Sequence, residues 1–164
     1  MNNVPEYFDD RPKKARYEEA AKEIASVLDG ESNLIARMAT VSNILHHTFD
    51  HYFWTGFYLV DPDKPRELVI GPYQGTLGCL RIPFTKGVCG ACASREETII
   101  VEDVLEFPGH IACDSRSESE IVVPVFDCAG RLIAVFDVDS DRKAQFDEAD
   151  RAGIETILRA SFAS

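Results

Sequence analysis

Five cysteines, Cys79, Cys89, Cys92, Cys113 and Cys128, are the residues most able to do chemistry. They are separated by nine, two, twenty and fourteen residues. A four-cysteine zinc site is usually built from two close pairs, and only one C-x-x-C is present, so no metal site is expected. His46, His47 and His51 have no ligand spacing with an acidic partner. Cys79 and Cys113 fall on long polar or glycine-rich connections, where thiols are accessible and react; passive packing is the competing reading. Cys89-Gly-Ala-Cys92 at a helix start is a thiol–disulfide exchange pattern, and the helix N-terminus is expected to lower the first thiol's pKa. The βαβ setting that accompanies such a motif in disulfide oxidoreductases is missing. Cys128, in a hairpin turn, is expected to be incidental.

A second constellation is acidic. In RLIAVFDVDS, Asp137 and Asp139 are two residues apart on a strand and point to one face. Glu118 and Glu120 open the preceding strand, and a hairpin turning near Cys128 brings Glu120 opposite the Asp137 to Asp139 stretch. Clustered carboxylates suit an ammonium ligand, or a proton donation from a carboxyl with raised pKa. The plainer alternative is that strand-end aspartates face water. Trp54 and Tyr58 share a face of another strand, as core or as an apolar wall for a small ligand. His110, three residues before Cys113, is placed to influence its ionisation or simply to be solvated.

These residues need a scaffold, and the apolar periodicity supplies one. Lys13 to Leu28 reads as a helix stopped at Asp29-Gly30, and Ser32 as the cap of a second helix carrying Leu34, Met38, Val41 and Leu45 on one face. Strands follow from Tyr52 to Val60, over Glu67 to Tyr73, and around Leu80 to Pro83, with DPDKPR as the first turn. A short helix runs from Gly87 to about Arg95, then strands over Thr98 to Val101, Ser119 to Asp127 and Arg131 to Ser140. Asp147 caps a last helix ending near Phe162. Hairpin connections make the pairs antiparallel, so the expected class is α+β: about six antiparallel strands with helices packed against them. Residues 1–12 form an N-terminal arm and 13–164 a single domain.

With 164 residues and 45% apolar content, the chain buries enough core to fold without disulfide or metal. No apolar run approaches the roughly 18–20 residues of a membrane helix, and MNNVPEYFDDRPKK holds no signal-peptide core. The odd cysteine count then argues for reduced thiols and a cytoplasmic location. A formal charge of −11 disfavours nucleic acid as a partner.

LDGESNLIARMATVSNIL, WTGFYLVD, IGPYQGTLGC, IPFTKGVCGACA, FPGHIACDSRSESEIVVPV and AVFDVDSD occur in the order found in the free methionine-(R)-sulfoxide reductases, which the chain resembles from about Lys13 to Phe162. The resemblance implies a GAF fold and reduction of free L-methionine-(R)-sulfoxide to methionine, without a bound cofactor. Thioredoxin, and NADPH indirectly, would supply the electrons. It implies Cys113 as nucleophile, Cys79 as the thiol that resolves its sulfenic acid to a disulfide, and Cys89 as a second thiol in recycling. Trp54, Tyr58, Glu120, Asp137 and Asp139 match substrate-pocket positions, the acidic ones holding the α-ammonium. The same carboxylates should raise the pKa of Cys113 unless that ammonium offsets them. Cys92 departs from the pattern and is a possible competing thiol. The other reading is a non-catalytic GAF module that binds a small ligand, although such modules are usually fused to an output domain. A homodimer through the N-terminal helices is compatible with either.

Overall fold

The helix-forming stretch before Gly30 becomes α1 (Lys13–Val27), and Gly30 follows it at φ +75°, a backbone shape that favours glycine. In this computed structural model, which describes residues 9–110 and 113–164, the first eight residues of the expected arm lie outside the description. The α2 helix (Leu34–Thr48) is capped by Asn33, not Ser32: its side-chain carbonyl accepts the Ala36 N–H at 3.0 Å. Asn33 directly precedes the first helical residue, and from there its oxygen reaches a free amide of the first turn.

Strands β1 (Trp54–Asp61) and β2 (Lys64–Gln74) meet at Pro62-Asp63, a tighter turn than DPDKPR suggested, because Asp61 already pairs with Lys64. Then come β3 (Arg81–Pro83), α3 (Gly87–Arg95), β4 (Ile99–Val101), a 3-10 turn over Val104–Glu106, β5 (Ser119–Phe126), β6 (Leu132–Ser140) and α4 (Glu148–Phe162). The sheet has six strands in the order β3-β2-β1-β6-β5-β4, all neighbours antiparallel. None of the described helices is long and apolar enough to cross a membrane.

Alternation along the central strands sends side chains to two separate cores. On one face, Phe57, Ile121, Val123, Phe136 and Val138 pack under Met38, Val41 and Leu45 of α2 and Ile154 and Ile157 of α4, with α1 completing the layer. Nearly all of the largest fully buried side chains lie here. Each contributes about 1.5–3 kcal/mol relative to exposure, so this face carries much of the stability. The opposite face carries a smaller core, in which Trp54, Tyr58, Val122 and Val135 meet Val88, Cys89 and Cys92 of α3.

The helix face also encloses a carboxylate. Asp150 of α4 has a fully buried side chain and accepts from Tyr17 Oη at 2.7 Å, from His51 Nε2 at 3.0 Å and from the Asp147 N–H at 2.8 Å, with the Lys13 ammonium beside it. Burial alone would raise this carboxyl, but the bonds from His51, Lys13, Tyr17 and Asp147 hold it well below the usual carboxylate range. Asp147, the expected cap, accepts the Ala149 and Asp150 amides in a reciprocal capping box.

Candidate active site

On the smaller core's face, β5, β6 and β1 bring the expected acids together. Glu120 stands opposite Asp139, which stands opposite Trp54, while Asp137 lies between Gly56 and Val122. Glu120 and Asp137 are each only 5% exposed, so these strand-end acids do not simply face water. Burial first, then the Asp139 charge, pushes the Glu120 carboxyl up to about 8. Burial and the Glu120 charge raise Asp137 well above the usual carboxylate range. The packing around the partly exposed Asp139, together with Asp137, raises it too, while Ser117 opposes the shift. Asp137 Oδ1 is buried and receives no hydrogen bond among the described residues.

The aromatic wall depends on a missing side chain. Trp54 and Tyr58 flank Gly56 on β1, and Tyr73 pairs with Gly56 from β2. Without a Cβ at Gly56, the Trp54 ring stacks on Tyr58 at 5.6 Å and on Tyr73 at 5.2 Å. A Cβ at position 56 would meet the Tyr73 Cβ at 2.3 Å. Gly78 allows a second close approach, since a Cβ there would come within 2.9 Å of the Trp54 indole and 3.1 Å of the Tyr58 hydroxyl. Trp54 and Tyr58 are therefore both buried structure and pocket wall. The Trp54 indole N–H also donates to the Thr76 carbonyl at 2.8 Å, fastening the β2–β3 connection over the acids.

The thiols are carried by two loops and α3. Cys79, half-buried in the β2–β3 connection, and the exposed Cys113 form a disulfide with Cα atoms 5.6 Å apart. Beside it, Thr76 Oγ1 donates to Asp114 at 2.8 Å, and Asp114 is paired in turn with Arg116. Cys89, Cys92 and Cys128 are free. Cys89 is buried on α3 and lines the same pocket as Cys113. The expected lowering of its pKa by the helix terminus does not occur: burial, then the Asp137 and Glu120 charges, push the thiol well up. Cys92 is fully buried and absent from the pocket lining, so a competing role at the pocket does not fit this arrangement. Burial, then the Asp137 and Glu120 charges, push its thiol up as well. Cys128 is exposed in the β5–β6 turn, as expected.

Around these groups lies a cavity of about 40 Å³ that brings together Trp54, Tyr58, Cys89, Cys113, Glu120, Asp137 and Asp139. With the disulfide formed, that is room for about three water molecules. Cys79 itself is not among the lining residues; it reaches the site through its bond to Cys113. Glu118 ends just outside β5 and is exposed. Three lining residues with polar side chains lay outside the expected site set. His110 has its Nε2 3.6 Å from Glu120 Oε2, and burial lowers its pKa. Asp114 and Ser117 also face the pocket. The loop string GHIACDSRS was the only signal for them, and a three-residue offset from His110 to Cys113 does not say where the imidazole points.

A sheet floored by enclosed acids, walled by aromatics and roofed by loop cysteines defines a class: residues 38–160 match the GAF domain family. The chain is 47% identical over 147 residues to GAF domain-containing protein A of Dictyostelium discoideum, covering 90% of each protein. It is 37% identical over 142 residues to the free methionine-R-sulfoxide reductase of Escherichia coli, covering 87% of this chain and 84% of that one. The structure of the Neisseria meningitidis free methionine-R-sulfoxide reductase in complex with its substrate superposes with a TM-score of 0.87 at 44% identity, covering 94% of this chain and 90% of that one. The chain belongs to the GAF-domain free methionine-R-sulfoxide reductases and is an oxidoreductase.

Proposed function

We propose that this protein reduces free L-methionine-(R)-sulfoxide to L-methionine, with Cys113 as nucleophile. The observation that carries the reading is the placement of a disulfide-linked pair, Cys79 and Cys113, at a pocket of clustered acids in which Asp137 Oδ1 receives no hydrogen bond among the described residues. The substrate complex of the Neisseria meningitidis relative supports the same ligand class.

In the reduced enzyme, Cys113 attacks the sulfoxide sulfur and the S–O bond breaks. The oxygen passes to the cysteine, giving methionine and a Cys113 sulfenic acid. Glu120, neutral up to about pH 8, is the proton source for the departing oxygen. The Cys79 thiol condenses with the sulfenic acid, forming the Cys79–Cys113 disulfide and releasing water. A thioredoxin-type dithiol, itself reduced at the expense of NADPH, returns both sulfurs to thiols by exchange, with Cys89 as a relay.

Asp137 and Asp139 hold the α-ammonium, and Trp54 and Tyr58 flank the side chain. Selectivity for the free amino acid follows. In a peptide that nitrogen is an uncharged amide, and the enclosed carboxylates would stay without a cation. The same ammonium offsets the carboxylates' effect on Cys113, so the nucleophile gains reactivity when substrate is bound.

The test is NADPH consumption with thioredoxin and thioredoxin reductase, offering the free R epimer, the S epimer and an N-acetylated R form. Turnover of the free R form alone, lost in Cys113→Ser, is the expected result. Turnover that survives Cys113→Ser would overturn the nucleophile. No turnover of any sulfoxide, with the thiols verified as reduced, would move the reading to a ligand-binding GAF module.

A further inference from the structure

Cys89 of α3, Glu120 of β5 and Asp137 of β6 come from three elements far apart in sequence. They each present one ligand atom, a sulfur and two carboxylate oxygens, and these atoms lie within 4.8 Å of one another. All three side chains are buried, and they line the pocket. Independently, Asp137 Oδ1 is enclosed with no donor among the described residues, so the cluster holds an unmet demand for positive charge. A substrate ammonium meets that demand through nitrogen, and it leaves the Cys89 sulfur without a part in binding.

We propose that this pocket is also a site for a thiol-seeking divalent cation of the Zn²⁺ class, held by Cys89 Sγ, one oxygen of Glu120 and one of Asp137. Metal–sulfur and metal–oxygen distances of about 2.3 and 2.1 Å place tetrahedral ligand atoms roughly 3.5 Å apart, a contraction that side-chain rotation supplies. A thiolate with two carboxylates selects Zn²⁺ over Mg²⁺ or Ca²⁺, which prefer all-oxygen shells. The His110 imidazole, with Nε2 3.6 Å from Glu120 Oε2, stands beside the cluster but is not one of its three ligands. Binding releases the thiol proton of Cys89 and a carboxyl proton to solvent, with no change in oxidation state.

The consequence is a reversible off-state. The metal takes two carboxylates from the pocket and withholds Cys89 from thiol exchange. Competition with substrate rests on the proposed binding mode; the metal site itself does not. Cys89 remains a free thiol while Cys79 and Cys113 are joined, so the site is complete in the oxidised protein.

The experiment is therefore an anaerobic Co²⁺ titration of the oxidised protein, which requires no turnover. The expected result is one equivalent with a sulfur-to-metal charge-transfer band and the visible bands of a tetrahedral ion, displaced by Zn²⁺. The charge-transfer band should vanish in Cys89→Ser and persist in Cys128→Ser. Should Cys89→Ser not fold, Asp137→Asn reads the same site, weakening affinity by at least the roughly 10–100-fold that loss of a mere supporting group costs. Zn²⁺ protection of Cys89 from alkylation, read by mass spectrometry, is a check on the unmodified chain. No band, or a band that follows Cys128 instead of Cys89, overturns the proposal. In a Cys79→Ser/Cys113→Ser protein, whose pocket is not closed by the disulfide, adding free methionine should weaken Co²⁺ binding. Metal binding that ignores methionine would uphold the site and overturn the placement of the ammonium on these carboxylates.

Discussion

Asp150 and Asp137 are both enclosed carboxyls of one small protein, on opposite faces of the same sheet, and their surroundings differ in kind. Asp150 receives hydrogen bonds from a tyrosine, a histidine and a backbone amide and has a lysine ammonium beside it, which hold its proton affinity far down. Asp137 has Glu120 and Cys89 clustered beside it, no donor on Oδ1 among the described residues, and a proton affinity pushed far up. The first group is a finished piece of structure. The second is half of an interaction whose other half is a cation. Burial alone therefore does not distinguish an architectural charge from a functional one; the donors around it do.

The comparison breaks most sharply at Asp150. Asp150→Ala leaves Lys13, His51 and the two linked tyrosines without their shared acceptor. Removing one partner of a buried pair costs about 3–5 kcal/mol, which chemical denaturation should register, while kcat/KM of the folded protein stays near wild type. Asp137→Asn is expected to do the reverse. It relieves the carboxyl cluster, so stability holds or rises slightly, while kcat/KM for the free sulfoxide falls on the order of a hundredfold or more. If Asp137→Asn destabilises as Asp150→Ala does, Asp137 is as architectural as Asp150.

Stability against pH separates the two faces without mutation. Asp150 is depressed in the folded state, so its contribution is present above the unfolded value near 3.8 and is lost as the pH falls below it. Glu120 is raised, from 4.5 to about 8. Between those values the folded protein holds a proton that the unfolded chain has released, so stability falls as pH rises through that window. Substrate-free protein should be most stable near pH 4–5 and lose up to about 1.4 kcal/mol per pH unit toward pH 8 from this group. Glu120→Gln should flatten the upper limb, and a Glu120→Gln curve that still falls equally steeply would assign the loss to other groups.

Most of the scaffold was legible because periodicity speaks directly to burial. The 3.6-residue stripe of α2, the alternation of β1, β5 and β6, and the Asp147 cap each translate into an element without help from distant residues. The acid cluster was legible for the same reason: two aspartates at i and i+2 and one hairpin register put Glu120 opposite Asp139. What escaped was set by tertiary packing. The helix terminus at Cys89 should favour a thiolate, but α3 lies over buried acids and desolvation dominates. His110 sits in an irregular loop whose course no period encodes. Ser32 and Asn33 are both good caps in sequence, and only the backbone path decides between them. The roles of Cys79, Cys89 and Cys113 came from the resemblance to a family, since spacing alone left packing and reaction equally open.

The smallest expected effect tests whether the loop face is organised by its substrate chemistry or merely closed by its disulfide. Among the described residues, Thr76 Oγ1 to Asp114 is the hydrogen bond that links the two cysteine loops apart from the sulfurs, and Asp114 keeps Arg116 when the threonine hydroxyl is lost. Thr76→Val removes one donor at nearly constant volume, worth about 1 kcal/mol. While Cys79 and Cys113 are joined, the covalent link holds the loops together and thermal stability should be unchanged. In the reduced enzyme the loops lose that tether, and the missing bond should appear as a rise of about fivefold in KM for the free sulfoxide with kcat nearly intact. An equal effect on stability in both redox forms would place Thr76 with the architecture of the helix face. An effect confined to the reduced form would place it with the unfinished charges of the pocket, where the arriving ligand completes the structure.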